Sequence, residues 1–305
     1  MRPADIFGIT VLAFIWGTNF LLVEEALEGA DPAQIVIIRL VTGGAALVLL
    51  AWARRTALPR GGVVWLKLTG MGLIGQAVPW LLFAWGQEEV TGALAGVYTG
   101  LTPLMTIPVA WVLLRERPTA AETGAAVIGF AGLAVVLAPW SDGGARAPLG
   151  GQLLCLAGAT CYALAYSYAG RLMRTLTDSK LSLAASQALA ASAIMLPAGS
   201  GQLVQPMRLT WLIVLCLALL GAGTAIAFLV NYWLIARVGP VQASLAFYLI
   251  PVVAVAAGML ARGERLTPNE VLGSALILAA LAALYVWERV RERRLASVPE
   301  PMEAR

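Results

Sequence analysis

The sequence has no histidine, only three cysteines and few charged residues, which make up 12% of its 305 positions. Without histidine, a His-ligated zinc site, a Ser-His-Asp triad and a Cys-His pair are excluded, since each needs an imidazole. Cys155, Cys161 and Cys216 lie in apolar runs without paired spacing, so we expect neither a disulfide framework nor a metal site. In soluble proteins about a quarter of the residues are charged. The scarcity of charge argues against a soluble enzyme, a disordered regulator and a nucleic-acid binder.

Apolar residues are abundant instead: hydrophobic side chains make up 60% of the chain, and the mean hydropathy is +0.81. About ten runs approach the roughly 20 residues that a helix needs to cross a bilayer. The predicted spans lie near residues 6–23, 33–52, 63–85, 90–114, 121–139, 149–170, 181–197, 210–230, 241–261 and 270–287. The sequence therefore predicts an all-α integral membrane protein with ten transmembrane helices and short connections.

Basic residues are distributed unevenly between the connections. With the N-terminus in the cytoplasm, 16 fall in inner segments and four in outer ones. The inner group comprises Arg2, Arg54, Arg55, Arg60, Lys67, Arg115, Arg117, Arg171, Arg174, Lys180, Arg237, Arg289, Arg291, Arg293, Arg294 and Arg305, and the outer group Arg146, Arg208, Arg262 and Arg265. The positive-inside rule then predicts that both termini are cytoplasmic. The pI near 9.2 is explained by basic residues that face anionic lipid, so no nucleic-acid partner is needed.

The chain contains an internal repeat. A shift of 148 positions aligns residues 85–122 with 233–270, with about nine identities in 38 positions, Pro103 with Pro251 among them. We expect a first repeat over residues 1–144, a second over 145–288 and a basic cytoplasmic tail over 289–305. Because each repeat has five helices, the second must enter the membrane in the opposite sense. Inverted repeats of this kind are typical of secondary transporters with a site near the midplane.

Several motifs carry a family resemblance across the chain. They are Trp16-Gly17-Thr18-Asn19-Phe20, Arg39-Leu40, Pro103, Pro251 and the Glu-Arg-x-Thr patterns at Glu116 and Glu264. In these the chain resembles the EamA family of the drug/metabolite transporter superfamily, and its YddG-type exporters of aromatic amino acids most of all. The resemblance implies a multi-pass carrier of the bacterial inner membrane, a monomer or homodimer, that exports amino acids or other small metabolites.

Arg39 is the only charged residue deep within a predicted span. An ionisable group at that depth is costly and indicates a functional site by default. Two interpretations remain open at this point: Arg39 binds a substrate carboxylate, or it tethers helix ends through backbone carbonyls. The repeat shift places the polar residue Gln187 at the equivalent position of the second half.

Aromatic and polar residues at mid-span form the predicted substrate site. The set is Trp16, Asn19, Gln76, Trp80, Tyr98, Thr102, Tyr162, Tyr166, Phe228, Asn231 and Tyr248. Apolar walls with few polar anchors are typical of small-molecule sites. A bulky apolar or aromatic solute suits such a site better than a sugar phosphate, which needs several convergent Lys or Arg. No catalytic group, metal site or cofactor is indicated.

These features predict a secondary transporter that exports small organic metabolites, with amino acids foremost, by alternating access through a central cavity. Export of drugs, vitamins or nucleosides on the same scaffold is the alternative. A further alternative is a membrane-embedded protein without transport activity. The lipid bilayer and a small-molecule substrate are the expected partners.

Smaller motifs have structural interpretations. Gly92, Gly96 and Gly100 recur every fourth residue, which predicts close helix packing. Glu116 and Glu264 are interpreted as helix-start residues favoured by the helix dipole.

No Asp or Glu lies in the middle of a predicted span, so facilitated movement without ion coupling is the simplest expectation. Coupling would need Arg39, a tyrosine, or an acid at a span edge such as Glu24, Glu25 or Glu88.

The predicted topology is testable with reporter fusions. A fluorescent protein fused after residue 305 should fluoresce, and a phosphatase active only in the periplasm should be inactive there, because both termini are expected in the cytoplasm. Fusions after residue 208, in a predicted outer loop, are the control and should behave in the opposite way. An active phosphatase at the C-terminus would contradict the topology.

Overall fold

The computed structural model of the protein describes residues 2–115, 117–137, 148–172, 178–238 and 245–296. The helices are α1 (Pro3–Leu27), α2 (Pro32–Ala53), α3 (Gly62–Gly72, Leu73–Ala77 and Val78–Gly86), α4 (Gly92–Gly100, Thr102–Val109 and Ala110–Leu114), α5 (Ala120–Leu137), α6 (Leu149–Leu172), α7 (Lys180–Ala198), α8 (Trp211–Val238), α9 (Leu245–Arg262) and α10 (Pro268–Ala296). A four-residue helix, Ser200–Leu203, follows α7.

Over these residues, nine helices are long and apolar enough to cross a bilayer, and α9 adds the shorter apolar stretch Ala246–Arg262. The predicted all-α membrane fold is therefore confirmed. The end of the fifth predicted span, the start of the ninth and the tail beyond residue 296 lie outside the described residues.

The chain crosses the membrane in alternating directions. We call the face where α1 begins the proximal face and the face where it ends the distal face. Because five helices precede α6, that helix starts at the distal face and runs opposite to α1. The two five-helix halves are thus inverted relative to each other.

The two halves exchange their first helices. Helix α1 packs mainly against α8 and α9 of the second half, and α6 packs mainly against α3 and α4 of the first. Across the remaining interface α2 contacts α7 and α8, α4 contacts α9, and α5 contacts α10. Each half therefore depends on the other for most of its helix packing.

Matching capping boxes start the last helix of each half. The Thr119 backbone N–H donates to Glu122 Oε2 at 2.7 Å, and the Thr267 N–H donates to Glu270 Oε2, also at 2.7 Å. Each threonine hydroxyl accepts in return from the glutamate N–H at 3.3 Å. These reciprocal bonds satisfy backbone donors that a helix start leaves free. The equivalent helices α5 and α10 are thus begun by the same local chemistry.

The prediction that Glu264 starts a helix is wrong. Gly263 has a φ of +66°, which turns the chain back after α9, so that the Glu264 N–H donates to the Gly258 carbonyl at 3.3 Å. The Glu264 side chain then lies against the start of α4, where the Ala93 N–H donates to its Oε2 at 3.2 Å. Glu116, its counterpart in the first half, lies outside the described residues.

Helices α3 and α4 are irregular near their prolines. In α3 a π-helical segment, Leu73–Ala77, precedes Pro79, and in α4 the helix breaks at Leu101 just before Pro103. Proline has no backbone N–H and clashes with the preceding turn, which explains both interruptions. The π-helical segment before Pro79 contains Gln76, one of the predicted site residues.

Glycines allow α4 and α1 to approach α9 closely. A Cβ at Gly96 would lie 2.2 Å from Ala254 Cβ, and one at Gly100 would lie 2.5 Å from Pro251 Cγ. A Cβ at Gly17 would meet Val253 Cβ at 2.5 Å. The predicted packing role of the glycine motif in α4 is therefore confirmed.

Substitution at Gly96 should separate packing from helix propensity. Gly96→Ala places a methyl group into Ala254, so we expect a loss of stability of about 1–3 kcal/mol from overpacking. Gly124→Ala is the control, because no atom lies within 4 Å of its added Cβ and alanine favours a helix interior by about 0.5–1 kcal/mol. Thermal denaturation in detergent should lower the melting temperature of the first variant and not of the second. Equal shifts would contradict the packing assignment.

Candidate functional site

Arg39 on α2 lies buried at the centre of the bundle, with 7% of its surface exposed. Its Nε donates a hydrogen bond to Thr224 Oγ1 of α8 at 2.9 Å. Its guanidinium carbon lies 3.7 Å from the centroid of the Trp80 ring of α3, a cation–π contact. Three helices from both halves therefore meet at this one side chain.

Asn19 of α1 adds a fourth helix to the group. With its amide oriented to satisfy both neighbours, its side-chain oxygen accepts a hydrogen bond from Arg39 Nη2 at 2.8 Å. The amide nitrogen then donates to the Ile15 carbonyl at 3.1 Å within the same helix. Asn19 is 6% exposed, so this buried amide is fully used by its helix and by Arg39.

The partners of Arg39 are all neutral. Among the described residues, the ion pairs involve Arg237 and Arg262, and no carboxylate lies within 4.0 Å of Arg39. A charged residue at a helix centre costs about 3 kcal/mol on insertion scales. A desolvated cation–π contact returns about 2 kcal/mol of this. Neutral contacts can therefore hold the guanidinium in place, but they leave its positive charge unneutralised and able to attract an anion.

Thr224 is a site residue that the sequence analysis missed. Its hydroxyl donates to the Leu220 carbonyl at 2.7 Å, which leaves a lone pair for the Arg39 Nε–H. Glycines bring α2 and α8 together here: a Cβ at Gly43 would lie 3.0 Å from Thr224 Cγ2, and one at Gly221 would lie 2.1 Å from Thr42 Oγ1. The Gly221-x-x-Thr224 spacing, which places both on one helix face, is the signal that could have found it.

An aromatic wall extends from Tyr162, beside the Arg39 group, to Trp16. The Trp16 ring lies 5.0 Å from that of Phe247, which in turn meets the Tyr166 ring edge-on at 5.0 Å. Tyr162 stacks on Phe83 at 5.9 Å and lies within electrostatic range of Arg39. The predicted aromatics Trp16, Tyr162 and Tyr166 are thus brought together with two phenylalanines that were not predicted.

Gln76 is a second buried polar group of the predicted set. It lies in the π-helical segment of α3, one turn before Trp80, and none of its surface is exposed. Neither its Oε1 nor its Nε2 has a hydrogen-bond partner in the described part of the chain. An unpaired buried amide costs about 1–3 kcal/mol. A ligand that hydrogen-bonds to Gln76 would recover this free energy.

The remaining predicted residues have contacts of their own. The Tyr98 hydroxyl donates to Gln152 Oε1 of α6 at 2.7 Å. The Phe228 ring lies 6.4 Å from that of Tyr232, whose hydroxyl donates to Gln187 Oε1 at 3.2 Å. Gln187, the repeat counterpart of Arg39, thus has a structural hydrogen bond. Of the others, Thr102 is buried and Asn231 half-buried.

Tyr248 lines a crevice between α1, α9 and α10. The crevice has a volume of about 470 Å³ and is lined by apolar residues such as Ile6 and Leu278, with Tyr285 facing Tyr248 at 6.2 Å between ring centroids. Its neighbour Phe247, which was not predicted, contacts Trp16. Within the described residues, no group of three or more His, Cys, Asp or Glu side chains is placed to hold a metal ion.

Comparison with known proteins gives a family match on both halves. The family model described as the EamA-like transporter family matches residues 4–138 and 149–286. The solved crystal structure of another protein superposes with a TM-score of 0.66 at 21% identity, covering 96% of this chain and 100% of that one. This likeness concerns the fold.

Curated relatives are named as transporters. The uncharacterized transporter YwfM of Bacillus subtilis (strain 168) is 27% identical over 92% of this chain and 94% of its own length. A probable terminal-alkyne amino-acid exporter of Streptantibioticus cattleyicolor is 24% identical over 96% of this chain and 97% of its own. An S-adenosylmethionine/S-adenosylhomocysteine transporter of Chlamydia trachomatis serovar L2 is 31% identical over 56% of this chain and 52% of its own.

The hydrogen bond between Arg39 and Thr224 can be tested by substitution. Thr224→Val keeps the side-chain shape but removes the hydroxyl that accepts the hydrogen bond from the buried Arg39 Nε. We therefore expect the free energy of unfolding to fall by about 1.5–3 kcal/mol and the melting temperature to fall with it. Thr160→Val is the matched control, because that hydroxyl donates only to the Leu156 carbonyl of its own helix. Equal effects of the two substitutions on the melting temperature would contradict the assigned role of Thr224.

Proposed function

This chain belongs to the EamA-like transporter family and is a membrane transporter, and we propose that it exports amino acids, aromatic ones among them, by alternating access. The two moving halves correspond to residues 1–144 and 145–288, as the two family matches support. The basic residues of the proximal connections support cytoplasmic termini, and the family match and the bacterial relatives support a bacterial inner membrane.

The observation that carries the proposal is the buried Arg39 charge with neutral partners. Its Nε is used by Thr224 and its Nη2 by Asn19, and Nη1 has no hydrogen-bond acceptor among the described residues. Guanidinium groups bind carboxylates with charge-assisted hydrogen bonds, which are about twice as strong as neutral ones. A substrate carboxylate would complete the pairing, so Arg39 is assigned to substrate binding.

The surroundings of Arg39 suit the rest of an amino acid. Trp16, Trp80, Tyr162, Tyr166 and Phe247 offer ring faces and edges to an apolar or aromatic side chain. Gln76 Oε1 is a buried acceptor for an ammonium group, one turn from Trp80. The other predicted site residues would contact the substrate as it moves through the protein; they are Tyr98, Thr102, Phe228, Asn231 and Tyr248.

The names of two relatives support a substrate that contains an α-amino-acid group. One is described as an amino-acid exporter and the other as a transporter of S-adenosylmethionine and S-adenosylhomocysteine. All these solutes carry an α-carboxylate and an α-amino group. The second candidate substrate is therefore an adenosylated amino acid, whose adenine ring would stack on the aromatic wall.

Counterflow in proteoliposomes tests the proposal. Purified protein should exchange a labelled aromatic amino acid, and a panel of unlabelled amino acids and S-adenosylmethionine should reveal which solutes compete. The matching amino-acid amide lacks the negative charge and would leave the buried Arg39 charge unpaired, which costs about 2 kcal/mol or more. Its competition should therefore be at least about 30-fold weaker than that of the amino acid. Equal competition by acid and amide would contradict carboxylate binding at Arg39.

Arg39→Gln provides the matching variant. We expect the variant to fold, because removal of the Arg39 charge leaves no carboxylate without its ionic partner. We also expect it to lose the discrimination between the amino acid and its amide. Arg54→Gln, at an exposed position after α2, is the control and should exchange like the unmodified protein. An Arg39→Gln protein that still prefers the acid would show that Arg39 has only a structural role.

A further inference from the structure

Five charged side chains meet at the distal face, where α1 and α9 end. Arg262, the last residue of α9, contacts three carboxylates at the end of α1: Glu24 Oε1 at 3.5 Å from Nε, Glu25 Oε1 at 2.5 Å from Nη1 and Glu28 Oε1 at 2.8 Å from Nη2. The fifth is Glu264, which follows α9. This group joins the first helix of one half to the other half.

Glu24 and Glu264 share the amino end of α4. The Gly92 N–H donates to Glu24 Oε2 at 2.8 Å, and the neighbouring Ala93 N–H donates to Glu264 Oε2 at 3.2 Å. Because two consecutive N–H groups hold them, the two carboxyl groups lie side by side. Two carboxyl groups from opposite halves therefore occupy one small site.

Glycines shape this site. A Cβ at Gly258 would lie 2.3 Å from Glu264 Oε1, and one at Gly92 would lie 2.6 Å from Glu24 Oε2. The left-handed turn at Gly263 directs Glu264 back over α9. Side chains at these positions would displace the two carboxyl groups, so the backbone is specifically compatible with their close approach.

Glu264 Oε1 has no donor in this arrangement. The atom is fully buried and lacks a hydrogen-bond partner among the described residues. The nitrogens of Arg262 all face α1 carboxylates, and no ion pair of Glu264 occurs in the described part of the chain. Like charges at such close range disfavour ionisation of both groups. One proton between the two carboxyl groups would satisfy the buried oxygen and remove the repulsion.

We propose that Glu24 and Glu264 form a proton-binding latch that holds the distal face closed. On closing, one proton from the distal solution binds to one carboxyl oxygen and is hydrogen-bonded to the other group. On opening, α9 separates from α1 and α4, both carboxylates become hydrated, and the proton returns to that solution. Acid on the distal side therefore favours the closed state and alkali the open state. The inference rests on the proposed alternating access, and it identifies proton binding at the distal face as a regulator of that movement.

The other ionisable groups near this site are placed differently. Glu25 and Glu28 contact Arg262 on the α1 side, and Cys216 of α8 lies beside Glu25. In the turn before α4, burial and the nearby Asp31 and Glu89 carboxylates raise the pKa of Glu88. Among the described residues, the remaining charges at the distal face are Arg208, Arg265 and Glu270, whose Oε2 accepts a hydrogen bond from the Thr267 N–H. Glu88 also titrates, so the experiment is designed to remove it.

Spin-label distances measure the latch without substrate. Labels on Glu88→Cys, in the turn before α4, and Leu260→Cys, near the end of α9 and 87% exposed, report the separation of the two halves. The native cysteines are replaced by serine, and the Glu88 label removes that carboxyl group. Between pH 5 and 9 the ratio of open to closed distances should rise with pH, by at most about tenfold per unit, the limit for one proton. Distances that do not change with pH would overturn the proposal.

Glu264→Gln should abolish the response. Its amide can donate permanently to Glu24, as the protonated carboxyl would, so the labelled protein should stay closed at every pH. If Glu264→Gln does not fold, Glu24→Gln replaces it, and that variant should likewise stay closed at every pH. Glu28→Gln is the matched control, because its side chain is 57% exposed and pairs only with Arg262; it should retain the pH response. A full response in either of the first two variants would overturn the latch.

Amino-acid counterflow on the same proteins separates the two proposals. A pH-dependent opening without amino-acid exchange would contradict the proposed substrate and leave the latch supported. Amino-acid exchange with pH-independent distances would support the substrate and overturn the latch.

Discussion

The central constraint on this structure is a positive charge held in the middle of a membrane protein by neutral groups. Arg39 is positioned by a threonine hydroxyl, an asparagine amide and an indole ring, which come from three different helices. These partners fix the guanidinium group without neutralising it. The helices must therefore approach closely enough for short neutral contacts, which explains the glycines between α2 and α8. The ring of Tyr162, at one end of the aromatic wall, lies within electrostatic range of the same charge.

The two halves are interlocked rather than placed side by side. Helix α1 packs on α8 and α9, and its two ends carry ion pairs to the second half, through Asp5 to Arg237 and through Glu24, Glu25 and Glu28 to Arg262. Any opening at the distal face must separate some of these contacts. The buried polar site and the distal charges are thus linked by a single helix, which also carries Asn19.

Much of the fold could be predicted from the sequence because lipid imposes simple rules. The span lengths, the distribution of Lys and Arg and the matched residues of the repeat can all be seen in the sequence without knowledge of side-chain contacts. Together they predicted the ten-helix inverted architecture. Arg39 was identified by its depth alone, and Asn19 and Trp80 by their polarity or size at mid-span. These residues contact each other in the structure.

The rotation of helices about their axes could not be predicted in the same way. In a bundle surrounded by lipid, inward and outward faces are both apolar, so the spacing of apolar residues is a weak guide to the residues that face inward. One residue corresponds to about 100° of rotation, and the structure accordingly places Phe247 rather than Tyr248 beside Trp16. Thr224 resembled many other membrane-span threonines. The position of Glu264 depended on the turn at Gly263, whose left-handed conformation the sequence alone did not reveal.

The exchange of first helices has a consequence for biosynthesis. Asp5 and its partner Arg237 are 232 residues apart in the chain, and ribosomes add about 5–20 residues per second. The first helix is therefore made roughly 10 to 50 seconds before the partners that cover it. During that interval its acidic end and its asparagine have to be accommodated by lipid headgroups or by the insertion machinery. Completion of the bundle is consequently a late event, which waits for the eighth and ninth helices to emerge.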